Sequence, residues 1–307
     1  MSVSFSVIIS VFNKEKYIKA TIESVLKQSF KDFELIVVND GSTDNSLDII
    51  EGFKDERLKI ISTNNQGASQ CRNTGINAAS NAFIALLDGD DLWDADYLKK
   101  VNDCIISFPN ESVFATAVAH KYEDKIVAAT YNFKQEKTYA VRNFFESSLD
   151  HTIITSSSVV FKNEILEKTG YFDTSIVSGQ DTDLWIRIGL NYKVVFINQI
   201  LAYYNYVPES LSNTVFSVRN KPKYDKYFEL EKSNKSLKRY LDRNRFPLAI
   251  LSKLEKNTER FEFYCSHINP KNLRPEQRII LFAPRWIVRL LLKLKSLNGE
   301  KLYYPVT

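Results

Sequence analysis

The sequence predicts an α/β chain, with a mostly parallel sheet flanked by helices and a helical, basic C-terminal extension. Three observations point there. Over the first hundred residues, short apolar runs alternate with stretches of helical periodicity, the pattern of parallel strands joined by helical crossovers. Three of those runs end in polar turns, Ser10–Asn13, Asn39–Thr43 and Asp88–Asp91, and ligands of open α/β sheets bind outside strand ends of this kind. Beyond about Ser217 the strand signals stop and basic residues predominate.

Taken in order, Phe5–Val11 reads as a buried strand. Asn13 stands where it could cap a helix carrying Ile18, Ile22, Val25 and Leu26 at i, i+4, i+7 and i+8. Phe33–Val38 is a second strand, and the turn Asp40–Asp44 leads into a helix through Ile50. Leu58–Ile61 is a third strand, followed by a loop at Asn64–Gly67 and a helix over Ser69–Ala79. Phe83–Leu87 is the fourth. A helix then keeps Tyr97, Val101, Cys104, Ile105 and Phe108 on one face. From Val113 to Phe133 the period becomes two, with a turn at Glu123-Asp124, which predicts a hairpin. Thr155–Phe161 reads as a strand, and Asn163–Thr169 and Asp181–Leu190 as helices. The chain is thereby divided into an α/β core to about residue 215 and a helical extension, 216–307.

A chain of 307 residues with 44% hydrophobic content can bury a full core, and its 25% charged fraction excludes collagenous and disordered classes. Cys71, Cys104 and Cys265 form no close pair, which argues against a disulfide framework or zinc knuckle and fits a reducing, cytoplasmic setting. The net charge of +4 is uneven: from Arg219 onward there are 21 Lys and Arg against 9 Asp and Glu, and before it 20 against 28. That asymmetry suits an anionic partner, either a membrane surface or nucleic acid. Arg285, Arg289 and Lys293 recur every fourth residue beside a Trp/Ile/Leu face. This is the pattern of an interfacial helix on anionic lipid, or of a docked helix with its basic edge in water. The apolar start Val3–Phe12 lacks a basic leader, and no uncharged stretch reaches the ~20 residues of a membrane span.

Neither a G-x-G-x-x-G nor a G-x-x-x-x-G-K-[ST] loop is present, so phosphate must be held by other means. The closely spaced Asp88, Asp90 and Asp91 suit a hard divalent cation, Mn²⁺ or Mg²⁺, shared with substrate phosphates. Purely structural readings stand beside this one. Asp40-Gly41 suits a simple turn, Phe12 a strand core, and Arg72 a helix surface. Asp88–Asp91 and Asp181 suit helix caps, where carboxylates are favourable. His120, His151 and His267 are scattered and suggest no metal triad.

The ordered set Val7-Ile8-Ile9-Ser10-Val11-Phe12-Asn13, Val38-Asn39-Asp40-Gly41-Ser42-Thr43-Asp44, Arg72-Asn73-Thr74-Gly75-Ile76, Leu87-Asp88-Gly89-Asp90-Asp91, Gly170-Tyr171-Phe172-Asp173 and Gly179-Gln180-Asp181-Thr182-Asp183 resembles the family 2 inverting glycosyltransferases of GT-A fold. The likeness runs over about residues 3–215. It implies a nucleotide-sugar half (1–110) and an acceptor half (111–215). Ser10 and Phe12 would then line a uracil site, Asp40 would accept from the base N3–H, and Arg72 would approach the diphosphate or sugar. Asp88-Gly89-Asp90 would be the D-x-D, with Asp88 toward the ribose or sugar and Asp90 on the metal. Asp181 would be the general base. Gln180 departs from the family's usual Glu and removes a charge. Thr155–Ser158 resembles the stretch lining the acceptor, and Tyr203-Tyr204 with Ser210-Leu211-Ser212 a segment that folds over the diphosphate. The resemblance favours a glycan or lipid-linked acceptor and peripheral contact with anionic membrane over nucleic acid. Two rivals remain at this point: a nucleotidyltransferase, for which Ser10–Lys14 lacks the glycine-rich basic loop, and a non-catalytic nucleotide-sugar-binding module.

Overall fold

The computed structural model describes residues 3–123, 125–205 and 217–297. The chain divides into two compact units, Met1–Tyr206 and Val207–Thr307. In the first, β1 (Phe5–Val11) and β2 (Phe33–Asn39) are buried along nearly their whole length, as apolar runs are when helices cover both faces of a parallel sheet. α1 (Ile18–Leu26) turns Ile18, Ile22 and Val25 inward, α2 is Ser46–Glu51, and β3 is Leu58–Ser62. α3 (Ala68–Asn77), β4 (Phe83–Asp88), β5 (Leu92–Trp93) and α4 (Tyr97–Ser107) follow. Next come β6 (Val113–Lys121), β7 (Ile126–Ala128), β8 (Tyr139–Arg142), α5 (Phe144–Ser147), β9 (Val159–Lys162), α6 (Leu166–Thr169), α7 (Gln180–Asn191) and β10 (Val194–Asn205).

One sheet joins all ten strands in the order β3-β2-β1-β4-β9-β6-β10-β5, with β7 on β6 and β8 on β10. β1 lies between β2 and β4 and is parallel to both, with Val11 opposite Asn39 and Ser10 opposite Asp88. That register sets the ends of three strands side by side and creates the site described below.

The structure departs from the sequence expectations at several elements. α1 begins at Ile18 rather than at Asn13. Asn13 takes a left-handed φ of 53°, and its side-chain oxygen accepts from the Thr43 N–H at 2.8 Å, so it joins two turns instead of capping a helix. Thr155–Ser158 is not strand: β9 starts at Val159, and the hydroxyls before it serve a turn. β10 escaped the sequence pattern because register shifts between Ile197 and Ile200 and between Ile200 and Ala202 break its alternation. β5, with two residues, is too short to read.

The second unit is helical in its described residues: α8 (Phe228–Ser233), α9 (Lys235–Leu254), α10 (Thr258–Ser266), α11 (Pro275–Phe282) and α12 (Arg285–Leu297). Asn234 and Asn257 cap α9 and α10 by accepting from the Leu237 and Arg260 N–H groups. Val218, Ile250, Tyr264, Leu281 and Val288 share its core. The wholly buried Arg245 is compensated by Glu231 at 2.7 Å and Asp242 at 3.6 Å, as a buried charge must be. No helix among the described residues is long and apolar enough to cross a membrane.

α3 lies close over the sheet at Gly75, where a methyl would overlap Ile8 Cγ2 and approach Val38 Cγ2 to 3.3 Å. Gly75→Ala gains roughly 1 kcal/mol of helix propensity but overpacks a buried contact, at about 1–3 kcal/mol. We expect net destabilisation, seen as a lower urea midpoint at unchanged slope. An unchanged midpoint would show that α3 has room to move away.

Candidate active site

The three strand ends are tied into one ledge by their main chains. The Gly89 N–H donates to the Ser10 carbonyl at 3.2 Å, and a Cβ on Gly89 would stand 2.9 Å from that oxygen, so only glycine permits the approach. The Asp40 N–H donates to the Val11 carbonyl at 2.8 Å. The Ser42 hydroxyl accepts from the Asn13 N–H at 3.0 Å, closing the turns after β1 and β2 on one another. Ser10 is half-buried beside them, and the Phe12 ring, 42% exposed, lies outside the core. The Asp40 carboxylate is buried and accepts from the Thr63 hydroxyl at 3.1 Å and from the Gln66 and Gly67 N–H groups at 2.9 and 2.8 Å. It therefore staples the loop before α3, while a carboxylate's roughly four lone-pair positions leave one uncommitted.

Arg72, from the first turns of α3, is buried rather than on a helix surface. Its guanidinium donates to Asp88 at 2.7 Å and to Asp181 at 2.9 Å, and lies 5.3 Å from the centre of the Phe172 ring. Burial works against its charge, but the Asp181 and Asp88 carboxylates outweigh it and hold its pKa above the ordinary value. Asp181 does not cap α7: that position is Gly179, at a left-handed φ of 89°, and the aspartate side chain turns to Arg72 instead. Burial raises the Asp181 pKa, with Arg72 pulling the other way and Asp88 adding to the rise. Asp183, two residues on, is buried in an ion pair with Arg187 at 3.0 Å and is a helix acid.

The acidic turn is balanced residue by residue. Asp90 receives the Lys14 ammonium at 2.5 Å. Asp91 accepts from the Ser157 hydroxyl at 2.5 Å and from the Asn205 N–H at 3.2 Å. Burial first, then Asp90 and Asp88, pushes the Asp91 pKa well up. The Ser157 oxygen also accepts from the Asp88 N–H at 3.2 Å, so one hydroxyl holds both ends of the turn. Asp88–Asp91 caps nothing, because α4 begins at Tyr97 with Asp96 as its N-cap.

The donor chemistry at Asp90 fits a hard divalent cation. Its carboxylate already holds a cation in Lys14; burial raises its pKa, Lys14 pulls the other way and Asp88 adds to the rise, so a positive partner is what favours the ionised form there. Among the described residues no three His, Cys, Asp or Glu side chains form a metal cage. That suits Mg²⁺ or Mn²⁺ held by one or two carboxylates, with phosphate and water completing the shell.

Sequence reasoning missed Lys14, Ser157 and Asn205, because each gains its place through a contact distant in sequence that no local pattern marks. His120 and His151 are not scattered: their rings meet at 5.7 Å. Burial lowers the His151 pKa. Cys71 and Cys104 are buried thiols, each pushed up to about 12 by burial. Tyr203 and Tyr204 belong to β10, and Ser210-Leu211-Ser212 lies outside the described residues.

Fold and ledge together define a GT-A enzyme class: parallel strands ending on a D-x-D turn, with a helix-borne aspartate linked to it through one arginine. The chain belongs to glycosyl transferase family 2, whose model matches residues 6–170. It is 31% identical over 216 residues to UDP-Glc:alpha-D-GlcNAc-diphosphoundecaprenol beta-1,3-glucosyltransferase WfaP of Escherichia coli, covering 69% of this chain and 80% of that protein. It is 29% identical over 222 residues to glycosyltransferase GlyA of Streptococcus pneumoniae, covering 67% of this chain but only 31% of that longer protein. In fold it is similar to S. aureus TarS in complex with UDP-GlcNAc, with a TM-score of 0.67 at 19% identity over 99% of this chain and 95% of that one.

Ser157→Ala removes a hydroxyl that satisfies the Asp91 carboxylate and the Asp88 N–H together. We expect a loss of about 1–3 kcal/mol in denaturant unfolding, the cost of leaving buried partners unmet. A wild-type midpoint would mean that water replaces the hydroxyl.

Proposed function

We propose that the protein moves a sugar, with inversion, from a UDP-sugar to a hydroxyl of a glycan or lipid-linked acceptor during surface polysaccharide synthesis, as a peripheral protein on the inner face of the cell membrane. The observation that carries this reading is the Arg72 bridge, which ties Asp181, 109 residues beyond Arg72 in the sequence, to the D-x-D turn. Family membership and the lipid-linked sugar in the name of WfaP support the donor and acceptor classes.

In this reading the exposed Phe12 ring stacks on the base, and the uncommitted Asp40 lone pair accepts from N3–H. Ser10 lines the base site beside Phe12, Gly89 lines the approach to the diphosphate, Asp88 faces the ribose or sugar, and Arg72 keeps Asp88 and Asp181 at fixed separation. Asp181 takes the proton of the acceptor hydroxyl as its oxygen bonds to the sugar C1. The bond from C1 to the diphosphate oxygen breaks, and its electron pair leaves with the nucleotide. A single base on the face opposite the leaving group yields inversion. Mn²⁺ or Mg²⁺ held at Asp90, when bound, would neutralise the charge growing on the diphosphate. Lys14 would have to leave Asp90 for that, and its flexible four-carbon stem would let it meet the phosphates instead. Gln180 keeps a hydrogen-bonding shape next to the base without adding a second charge.

Three measurements test this reading. Asp181→Asn is expected to lower sugar transfer by about 10²–10⁴-fold, the range of general-base catalysis, while leaving UDP binding intact. Unchanged transfer would exclude Asp181 as the base, and no sugar transfer by the wild type would favour a nucleotidyltransferase or a binding module. In titrations with Mn²⁺ followed by electron paramagnetic resonance, Lys14→Met should bind the ion several-fold more tightly and Asp90→Asn should lose the site. Equal binding by Asp90→Asn would remove Asp90 from the metal.

The third concerns pH. The Asp181 pKa lies above the ordinary 3.8, and the base must be ionised, so kcat/KM should fall as pH drops through that raised value. Arg72→Gln removes a charge that favours the ionised form and should move this acid limb to higher pH. A limb at or below the ordinary aspartate range would exclude Asp181 as the titrating base. The stability contribution of this group runs the opposite way, present at low pH and lost as pH rises through the raised value.

A further inference from the structure

α12 carries two apolar faces where a docked helix needs one. Val288 is buried in the core of the helical unit and Leu292 packs beside it. Trp286, Leu290 and Leu294, spaced i, i+4 and i+8, form a strip on another side and are 66%, 51% and 50% exposed. The preceding α11 adds Ile279 and Phe282, at 73% and 70%. A contiguous apolar ridge in water marks an interaction surface. Arg289 and Lys293, both exposed, stand one position before Leu290 and Leu294 and so run alongside the ridge. Arg285 is not part of that edge, since its guanidinium is drawn in to the Leu254 carbonyl. From Lys271 to Lys295 the sequence holds 7 Lys and Arg and a single acid, Glu276.

We propose that this ridge is a membrane-docking surface: Ile279, Phe282, Trp286, Leu290 and Leu294 enter the headgroup–acyl boundary of an anionic bilayer, and Arg289 and Lys293 meet its lipid phosphates. The charge decides the occupant. An apolar ridge alone would accept a second copy of the chain, but two copies would bring the same basic edges together, whereas anionic headgroups neutralise them. The assignment deepens the peripheral-membrane part of the function proposed above, and its test is independent of sugar transfer.

The three tryptophans make the test direct. Trp93 and Trp185 are buried, so Trp286 is the exposed reporter. Adding vesicles with about 30 mol % phosphatidylglycerol to the full chain should shift Trp286 emission to the blue, allow quenching by brominated acyl chains, and sediment the protein. About 0.5 M salt should reverse binding largely, and neutral phosphatidylcholine vesicles should bind weakly. Leu290→Ser/Leu294→Ser and Arg289→Glu/Lys293→Glu alter exposed positions that the core does not use. Each should weaken partitioning by about tenfold or more, with transfer to a water-soluble acceptor unchanged. No blue shift and no sedimentation with the anionic vesicles would overturn the proposal. So would equal binding by both double variants, or concentration-dependent dimerisation abolished by the Leu290/Leu294 pair without vesicle binding. If transfer to the soluble acceptor is absent while vesicle binding holds, the catalytic reading fails and this one stands.

Discussion

The organisation of the candidate site depends on one buried guanidinium. Asp88 ends a central strand and Asp181 opens a helix far along the chain; neither has another cation within an ion-pair distance among the described residues. Two carboxylates at such proximity repel, and desolvation penalises each. Arg72 reverses both effects, and its planar fork, with several donors in fixed directions, can bind two carboxylates at once where an ammonium would act as a point charge. The Phe172 face behind it excludes water from one side of the pair. The residue that stabilises the ledge is thus the same one that fixes the separation of Asp88 and Asp181, the sugar-facing acid and the base of the proposed mechanism.

The rest of the acidic turn shows how closely spaced carboxylates are kept folded together. Each aspartate is compensated by a different class of partner: a guanidinium for Asp88, an ammonium for Asp90, a hydroxyl and a main-chain N–H for Asp91. These differ in how readily they exchange. The Asp91 partners are neutral, buried and built into β10 and the turn before β9, so that aspartate is structural. Lys14 sits at the end of a flexible side chain and is the replaceable partner, which matches the position of Asp90 as the carboxylate suited to a dissociable cation.

Much of this was legible in the sequence, and the boundary of legibility has a physical cause. The parallel strands β1, β2 and β4 are nearly continuous buried runs, and each ends in polar turn residues, so the position of the ledge could be read from the sequence. Phe12 and Arg72 were singled out by position, but their environments, exposed for the one and buried for the other, arise from tertiary packing. Asn13 illustrates the failure: its chemistry suits a helix cap, but the nearby Thr43 N–H offers the same hydrogen bond across strands, and the left-handed backbone that Asn tolerates makes that choice possible. Thr155–Ser158 has the β-propensity of a strand, but its hydroxyls are worth more as partners to a buried carboxylate than as surface positions on a ladder.

The C-terminal helices raise the complementary question of what a local pattern leaves undecided. Periodicity in α12 showed a basic stripe beside apolar residues, which is compatible either with docking on a core or with lying in a membrane interface. Packing accounts for the first and leaves a face for the second. Val288 and Leu292 supply the docking face, and Trp286, Leu290 and Leu294 remain outside it. A helix that needed only to complete a core would carry polar residues at those outer positions, since exposed Trp and Leu add aggregation risk without adding stability. Arg285 sharpens the point from the other side. It has the right spacing to belong to the basic stripe, yet it serves a main-chain carbonyl within the unit. Arg289 and Lys293 border the outer ridge instead, where the proposed lipid phosphates would meet them.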